Sequence, residues 1–332
     1  MSLTKPTIHD VASLAGVSKS LVSLALSGSE KVSEQSRGKI LEAAEQLGYR
    51  RNAAARSLAV KRSQTMGVLI LDLHNPVFAE ILDGVQSELR DYGYSTMLVT
   101  GGDDPVLEKT EIDTLLQFQV EGLILISHRL AAKELALIAK EVPTVTVTRE
   151  DITALGLDTV CNDDIAGAQL AVDHLVDLGH SRIVCLSGGD NPVSHSRVEG
   201  YKIAMERRGK ASFSSVVPGG LTDTTGYRAA TKALEQKPTA LFVANDIAAM
   251  GAIAAIEEAG LKVPEDISVV GYDGISLGAL RSVNLTTIAQ PLDDLGRLAA
   301  KSLVQRINNP KSKSVHTRVL SKLVVRGTAR AL

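Results

Sequence analysis

Ser20, Ser23, Leu24 and Ser27 lie close together in the stretch AGVSKSLVSLALSG, Ala15 to Gly28. Hydroxyls that donate and accept, grouped around one apolar side chain, suit the edges of base pairs. Serines can bond to base edges in a major groove, and a leucine can meet a thymine methyl. Advancing 100° per residue from Ser18 to Ser27 puts Val22, Ala25 and Leu26 on one face, which must be buried. Ser20, Ser23, Leu24 and Ser27 then point outward, with Lys19 and Leu21 at the flanks. A single exposed leucine is ordinary on a protein surface, so the weight lies on the whole outward set.

Other reactive residue types are scattered. The seven histidines (His9, His74, His128, His174, His180, His195 and His316) form no His-Glu-x-x-His, and the chain has no P-loop or Gly-x-Gly-x-x-Gly. No catalytic residue and no cofactor is therefore expected. Cys161 and Cys185 lack Cys-x-x-Cys spacing, which supports neither a zinc site nor a disulfide framework, and both read as small core residues. No metal site is expected.

The elements that must hold the outward serines read as a three-helix head. Thr7 caps a first helix, with Asp10 as its acidic partner and Ile8, Val11, Ala12 and Ala15 at helical spacing. Gly16 allows a turn, Ser18 caps the second helix, and Val17 packs on Val22 as a staple. A third helix, capped by Ser33, runs from about Glu34 to Leu47 with Ile40, Leu41, Ala44 and Leu47 on its buried face and Gly48 as its stop. Two short helices joined by such a turn form a helix-turn-helix. The charge agrees: residues 1 to 62 hold ten Lys/Arg against five Asp/Glu, while the rest of the chain is acidic. A basic head on an acidic body points to a polyanionic partner for the head.

From Thr65 the pattern changes to apolar strands alternating with amphipathic helices: MGVLIL, YSTMLVT, GLILI, TVTV, RIVCLS, TALFVAN and SVVGYD. Such runs are buried parallel strands of a doubly wound α/β sheet. Val68, Asn75, Pro76, Gly84 and Gly93 recur 116 residues later as Val184, Asn191, Pro192, Gly200 and Gly209, which suggests two similar lobes. Lobes of this kind bind small ligands beyond the carboxyl ends of their strands. Between head and body, RRNAAARSLAVKRSQ is alanine-rich and basic, and too short for a helix stable alone. It reads either as a solvated linker or as a helix that forms only when held. No apolar run is long enough to span a membrane and no secretory signal is evident, so no membrane contact and a cytoplasmic location are expected.

The chain resembles the lactose-repressor/galactose-repressor family of bacterial transcription regulators. The resemblance is carried by TIHDVASLAGVSKSLVSLALSG and VSEQSRGKILEAAEQLGYRRNAAARSL in the head. In the body it is carried by NPVFAEILDGV, LVDLGHSRI, SRVEGYKIAM, VANDIAAMGAI, VPEDISVVGYDG and TTIAQPLDDLG, in order. It implies an all-α helix-turn-helix head at 1–49, a hinge at 50–63 and an effector-binding, dimerising body at 64–332. The body would have two doubly wound parallel-sheet lobes of the periplasmic-binding-protein type. Lobe 1 would cover about 64–160 plus 291–319, and lobe 2 about 161–290 plus 320–330.

The resemblance further implies a homodimer on double-stranded operator DNA, contacted through Thr7, Ser18, Lys19, Ser20, Ser23, Leu24 and Ser27. Paired hinge helices, Asn52 to Ala59, would lie in the minor groove and contact it through Asn52, Ala55, Arg56 and the wedge Leu58. Two positions depart from the family: Leu24 stands where Arg or His is usual, and Arg51 where Pro is usual. The effector, a sugar, sugar phosphate or polyol, would meet Asn75, Phe78, His128, Arg197, Leu221, Asn245, Asp246, Asp273 and Gln290. Thr148 stands where the family often has Asp, and Asp246 reads equally as a helix cap. Two alternatives stay open: a periplasmic-type binding protein, and a regulator of this type that answers to a nucleobase or nucleoside. The chain has no tryptophan and few aromatics, which favours the sugar.

Overall fold

The computed structural model describes residues 6–50, 62–149, 152 and 157–332. The chain divides into two compact units, Met1–Ser63 and Gln64–Leu332. In the first, α1 (Ile8–Ala15), α2 (Lys19–Leu26) and α3 (Glu34–Gln46) close around Val11, Val22, Ala25, Val32, Ile40 and Ala43. Each helix start is chemically specified. The Thr7 amide donates to Asp10 Oδ2 at 2.7 Å, Ser18 Oγ accepts from the Leu21 amide at 3.2 Å, and Ser33 Oγ accepts from the Ser36 amide at 3.3 Å. Gly16 ends α1 at φ 65°, a left-handed backbone that glycine adopts without steric cost. Arg37 of α3 donates to the carbonyls of Ala25 at 3.0 Å and Ser29 at 2.7 Å, closing the end of α2. Leu41, expected on the buried face of α3, is 49 % exposed. Ile40, Ala43 and Ala44 set that face instead, and the residue after Ile40 is turned 100° away from it.

The second unit begins β1 (Thr65–Ile70), α4 (Pro76–Asp91), β2 (Ser95–Thr100), α5 (Pro105–Gln117), β3 (Leu123–Ile126), α6 (Ala132–Glu141), β4 (Thr144–Val147) and β5 (Asp158–Asn162). It continues α7 (Asp164–Asp177), β6 (Ile183–Leu186), α8 (Pro192–Arg207), β7 (Ser215–Val217), α9 (Asp223–Leu234), β8 (Ala240–Val243), α10 (Asp246–Glu258) and β9 (Ser268–Asp273). β10 (Thr286–Ala289), α11 (Leu292–Asn308), β11 (His316–Val319) and β12 (Lys322–Val324) complete it. One sheet has the order β11-β5-β4-β3-β1-β2 and is parallel throughout. The other has the order β12-β10-β9-β8-β6-β7 and is parallel except for its edge strand β12, which runs antiparallel to β10. These are the two doubly wound α/β lobes that the strand-helix alternation predicts.

The chain crosses between the sheets three times: after β5, after β10 and between β11 and β12. The inner strands β3, β4, β6, β8 and β9 are buried along their whole length, because helices cover both faces. Helix pairs meet at glycines. A Cβ on Gly84 of α4 would lie 2.1 Å from the Asp293 carbonyl oxygen of α11, and one on Gly200 of α8 would lie 2.4 Å from that of Ile165 in α7. No helix among the described residues is long and apolar enough to cross a membrane.

Candidate functional site

The carboxyl ends of the parallel strands from both lobes converge on one cavity. Leu71, Asn75 and Phe78 reach it from the turn after β1, Ser127, His128 and Arg129 from the turn after β3, and Thr148 and Arg149 from the end of β4. The facing lobe contributes Asn191, Arg197, Leu221, Asn245, Asp273 and Gln290, and Asp164 opens α7 there. Asn75 and Asn191 occupy matching places. Each is the N-cap of a helix whose first residue is proline, with its side chain accepting from the amide of Val77 or Ser194.

A buried ionic array forms the floor. Arg197 donates Nε to Asp164 Oδ1 at 2.8 Å, and Nη1 both to Asp273 Oδ1 at 3.0 Å and to the Ala244 carbonyl at 2.5 Å. Its guanidinium lies 3.7 Å from the centre of the Tyr272 ring, and Gln290 donates to Asp273 Oδ1 at 2.7 Å. The two carboxylates overcome burial and hold Arg197 firmly protonated. Burial pushes the Asp273 carboxyl up, against the pull of Arg197 and Gln290. The backbone is strained here as well: Ser127, Thr148 and Asp273, none of them glycine, sit at φ 55°, 73° and 116°. The Ser127 and Thr148 hydroxyls are 2.7 Å apart.

Eight of the nine residues that the sequence assigns to the effector line this cavity: Asn75, Phe78, His128, Arg197, Leu221, Asn245, Asp273 and Gln290. Asp246 does not. Its carboxylate is fully buried, accepting from the amides of Gly274 at 2.8 Å and Ile275 at 2.9 Å and from the Thr287 hydroxyl at 2.6 Å. Nor is Asp246 the cap of α10. Asn245 caps it, accepting from the Ala248 amide at 3.0 Å while donating to the Leu221 carbonyl at 2.9 Å. Sequence reasoning missed Asp164 and Arg149 as lining residues. Asn191 could have been found, since the internal repeat pairs it with Asn75. No cluster of three or more His, Cys, Asp or Glu among the described residues could hold a metal.

In the first unit, Lys19, Ser20, Ser23, Leu24 and Ser27 are exposed, as are the capping residues Thr7 and Ser18. Leu24 is 40 % exposed, whereas Val22 and Ala25 are buried and Leu26 is half-buried. The Ser27 hydroxyl donates to the Leu24 carbonyl at 2.9 Å, which leaves its oxygen to accept. Asn52, Ala55, Arg56 and Leu58 lie outside the described residues.

A family model described as bacterial regulatory proteins, lacI family, matches residues 7–52. Another, for periplasmic binding proteins and the sugar binding domain of the LacI family, matches residues 63–326. The ribose operon repressor of Escherichia coli (strain K12) is 36 % identical, over 97 % of this chain and 99 % of its own length. A crystal structure of the lac repressor dimer bound to operator and the anti-inducer ONPF is 30 % identical and covers 99 % of this chain and 100 % of that one, with a TM-score of 0.88. A LacI family transcriptional regulator from Enterococcus faecium with bound ribose is 29 % identical and covers 81 % of this chain and 99 % of that one, with a TM-score of 0.73.

Proposed function

The chain belongs to the LacI family of bacterial regulatory proteins, and from that premise we propose that it is a cytoplasmic, homodimeric repressor whose hold on operator DNA is set by a sugar in the interlobe cavity. The observation that carries the ligand class is the buried array of Asp164, Arg197, Asp273 and Gln290 at the cavity floor. Sugar hydroxyls both donate and accept. A guanidinium in a fixed fork, flanked by carboxylates and an amide, meets adjacent hydroxyls with partners of either kind. Asp273 receives Arg197 and Gln290 on the same oxygen, so Oδ2 is the natural acceptor for a ligand hydroxyl. Phe78 is the one phenyl or phenol ring among the described lining residues, enough for the apolar face of a sugar but not a stack on both faces of a base.

On DNA, α2 of each protomer enters a major-groove half-site with Lys19, Ser20, Ser23 and Leu24 toward the bases. Residues 52–59 pair in the minor groove, where Leu58 enters a base step and Arg56 steers toward the groove or its phosphates. A sugar that binds the DNA-free arrangement better than the DNA-bound one shifts the population toward release. No chemical step is assigned to any residue.

Calorimetric titration of the purified protein with D-ribose, other pentoses, hexoses and nucleosides, alongside gel shifts on the DNA upstream of its own gene, tests this reading. A sugar should bind with a single saturable heat and change the operator shift at the same concentration. A protein that prefers no genomic fragment over random DNA, with or without these compounds, would overturn the reading.

A further inference from the structure

Glu108, in the first turns of α5, is completely buried, although its charged sequence neighbours Lys109 and Asp113 are exposed. Burying a carboxylate is costly unless its hydrogen bonds are made, so what it holds is informative. Both of its oxygens accept from one donor, the Arg129 amide, at 2.9 and 2.8 Å, and the Leu130 amide bonds to it as well. Gly101 makes the room: a Cβ there would lie 2.4 Å from Glu108 Cγ. The segment so held leaves β3 and carries Ser127, His128 and Arg129 along the cavity wall, yet Glu108 itself does not line the cavity. The same segment is also held by Ser127, whose amide donates to the Val147 carbonyl at 3.2 Å and whose hydroxyl lies 2.7 Å from that of Thr148, by the Arg129 side chain on Asp103 and by Arg149 on the Leu130 carbonyl at 2.9 Å; Glu108 is the carboxylate that takes the Arg129 and Leu130 amides.

We propose that Glu108 is a positioning residue for effector binding: from behind the wall, its carboxylate fixes the 127–130 segment so that Ser127, His128 and Arg129 meet the ligand in register. The inference rests on the sugar-binding reading above. Burial pushes the Glu108 carboxyl up to about 7, with the Arg129 side chain and amide pulling down and Asp103 adding to the rise. Asp103 and Arg129 are the charged groups that face it from the two neighbouring loops. On its own helix, Asp104 is turned instead to the Val106 amide at 2.8 Å. Only the ionised form offers both oxygens to the amides, so protonation on the acid side loosens the segment and weakens effector binding.

The test titrates D-ribose into the full-length protein and into Glu108→Gln between about pH 8 and about pH 6.5; Asp246, also pushed up to about 7, titrates in the same range, so the difference between the two proteins isolates the Glu108 part. The wild-type affinity should fall across this range. Glu108→Gln should bind D-ribose about tenfold more weakly at the alkaline end, with the fall across the range reduced and sugar-free operator binding retained. Wild-type affinity and pH profile in Glu108→Gln would overturn the proposal. Should the variant not fold, the Arg129 amide resonance of the sugar-free wild-type protein decides: it should titrate with a midpoint near 7, and a resonance that does not move overturns the proposal. A wild-type protein that ignores D-ribose while its Arg129 amide still titrates would sink the sugar reading but not the positioning role.

Discussion

Asp273 holds three properties at once: a buried carboxylate, a left-handed backbone that its residue type rarely adopts, and a place between Arg197 and Gln290. Strain of this kind survives where the surroundings over-determine it, and here they do, because Asp246 grips the next two amides from below. Asp273→Asn should therefore weaken effector binding by about 2 kcal/mol, roughly 30-fold, while leaving operator binding intact. Calorimetry and gel shifts on the same preparation check both halves.

His180 supplies a prediction of the opposite kind. Its Nε2 donates to the Arg330 carbonyl at 3.1 Å and its Nδ1 meets the Thr239 hydroxyl at 3.0 Å, tying the last residues of the chain to the feet of β8 and β9. Burial depresses its pKa below the usual 6.5, so the unfolded chain takes the proton first, and stability is lost as pH falls through that window. Glu108 and Asp246, both raised to about 7, act with the reverse sign and lose stability as pH rises. The measurement is thus a difference: His180→Gln should show a smaller drop in melting temperature than wild type between about pH 7 and about pH 5. Of these residues, the outward serines of α2 were legible because helix phase alone fixes them. The roles within Asn245-Asp246 were not, since either residue can cap a helix, and only the loop after β9 decides which carboxylate is drawn inward. Glu108 was invisible for the same reason: its charge says surface, and its partner is a backbone amide in a turn 21 residues away.

Among the elements, the five identities 116 residues apart all acquire a physical meaning. Val68 and Val184 are buried in β1 and β6; Asn75-Pro76 and Asn191-Pro192 start α4 and α8; Gly93 and Gly209 turn the chain after those helices at φ 76° and 67°. Gly84 and Gly200 are the points at which those helices press on α11 and α7. Gly84→Ala would put a methyl 2.1 Å from the Asp293 carbonyl oxygen, pushing α4 away and with it Asn75 and Phe78 at the cavity. The expected cost is about 2–3 kcal/mol in a denaturant melt, with a weaker effector response in the folded fraction. The strands that could be read in advance were the long apolar ones. β5, with sequence DTVCN, could not: Asp158, Thr159 and Asn162 are polar yet buried, and Asp158 accepts from Arg306, at 2.6 Å, and from the Val315 amide, far along the chain. β12 was equally hidden, as a short antiparallel edge whose partner is fixed by topology and not by pattern.

At the scale of the molecule, the basic first unit and the acidic second one divide the labour between polyanion and ligand. A protein lacking residues 1–62 should keep its effector affinity within about twofold, since the cavity and its core lie wholly in the second unit, and should lose operator binding altogether. A transport receptor would be indifferent to that deletion, and retained operator binding would contradict the assignment of the head. The three crossings between the sheets carry a consequence for heredity. Because α11 and β11 complete one sheet while β12 completes the other, no single cut in the gene yields an intact half. A frameshift after codon 289 would maim both sheets together, and a single crossover between relatives cannot exchange one complete lobe while leaving the other whole.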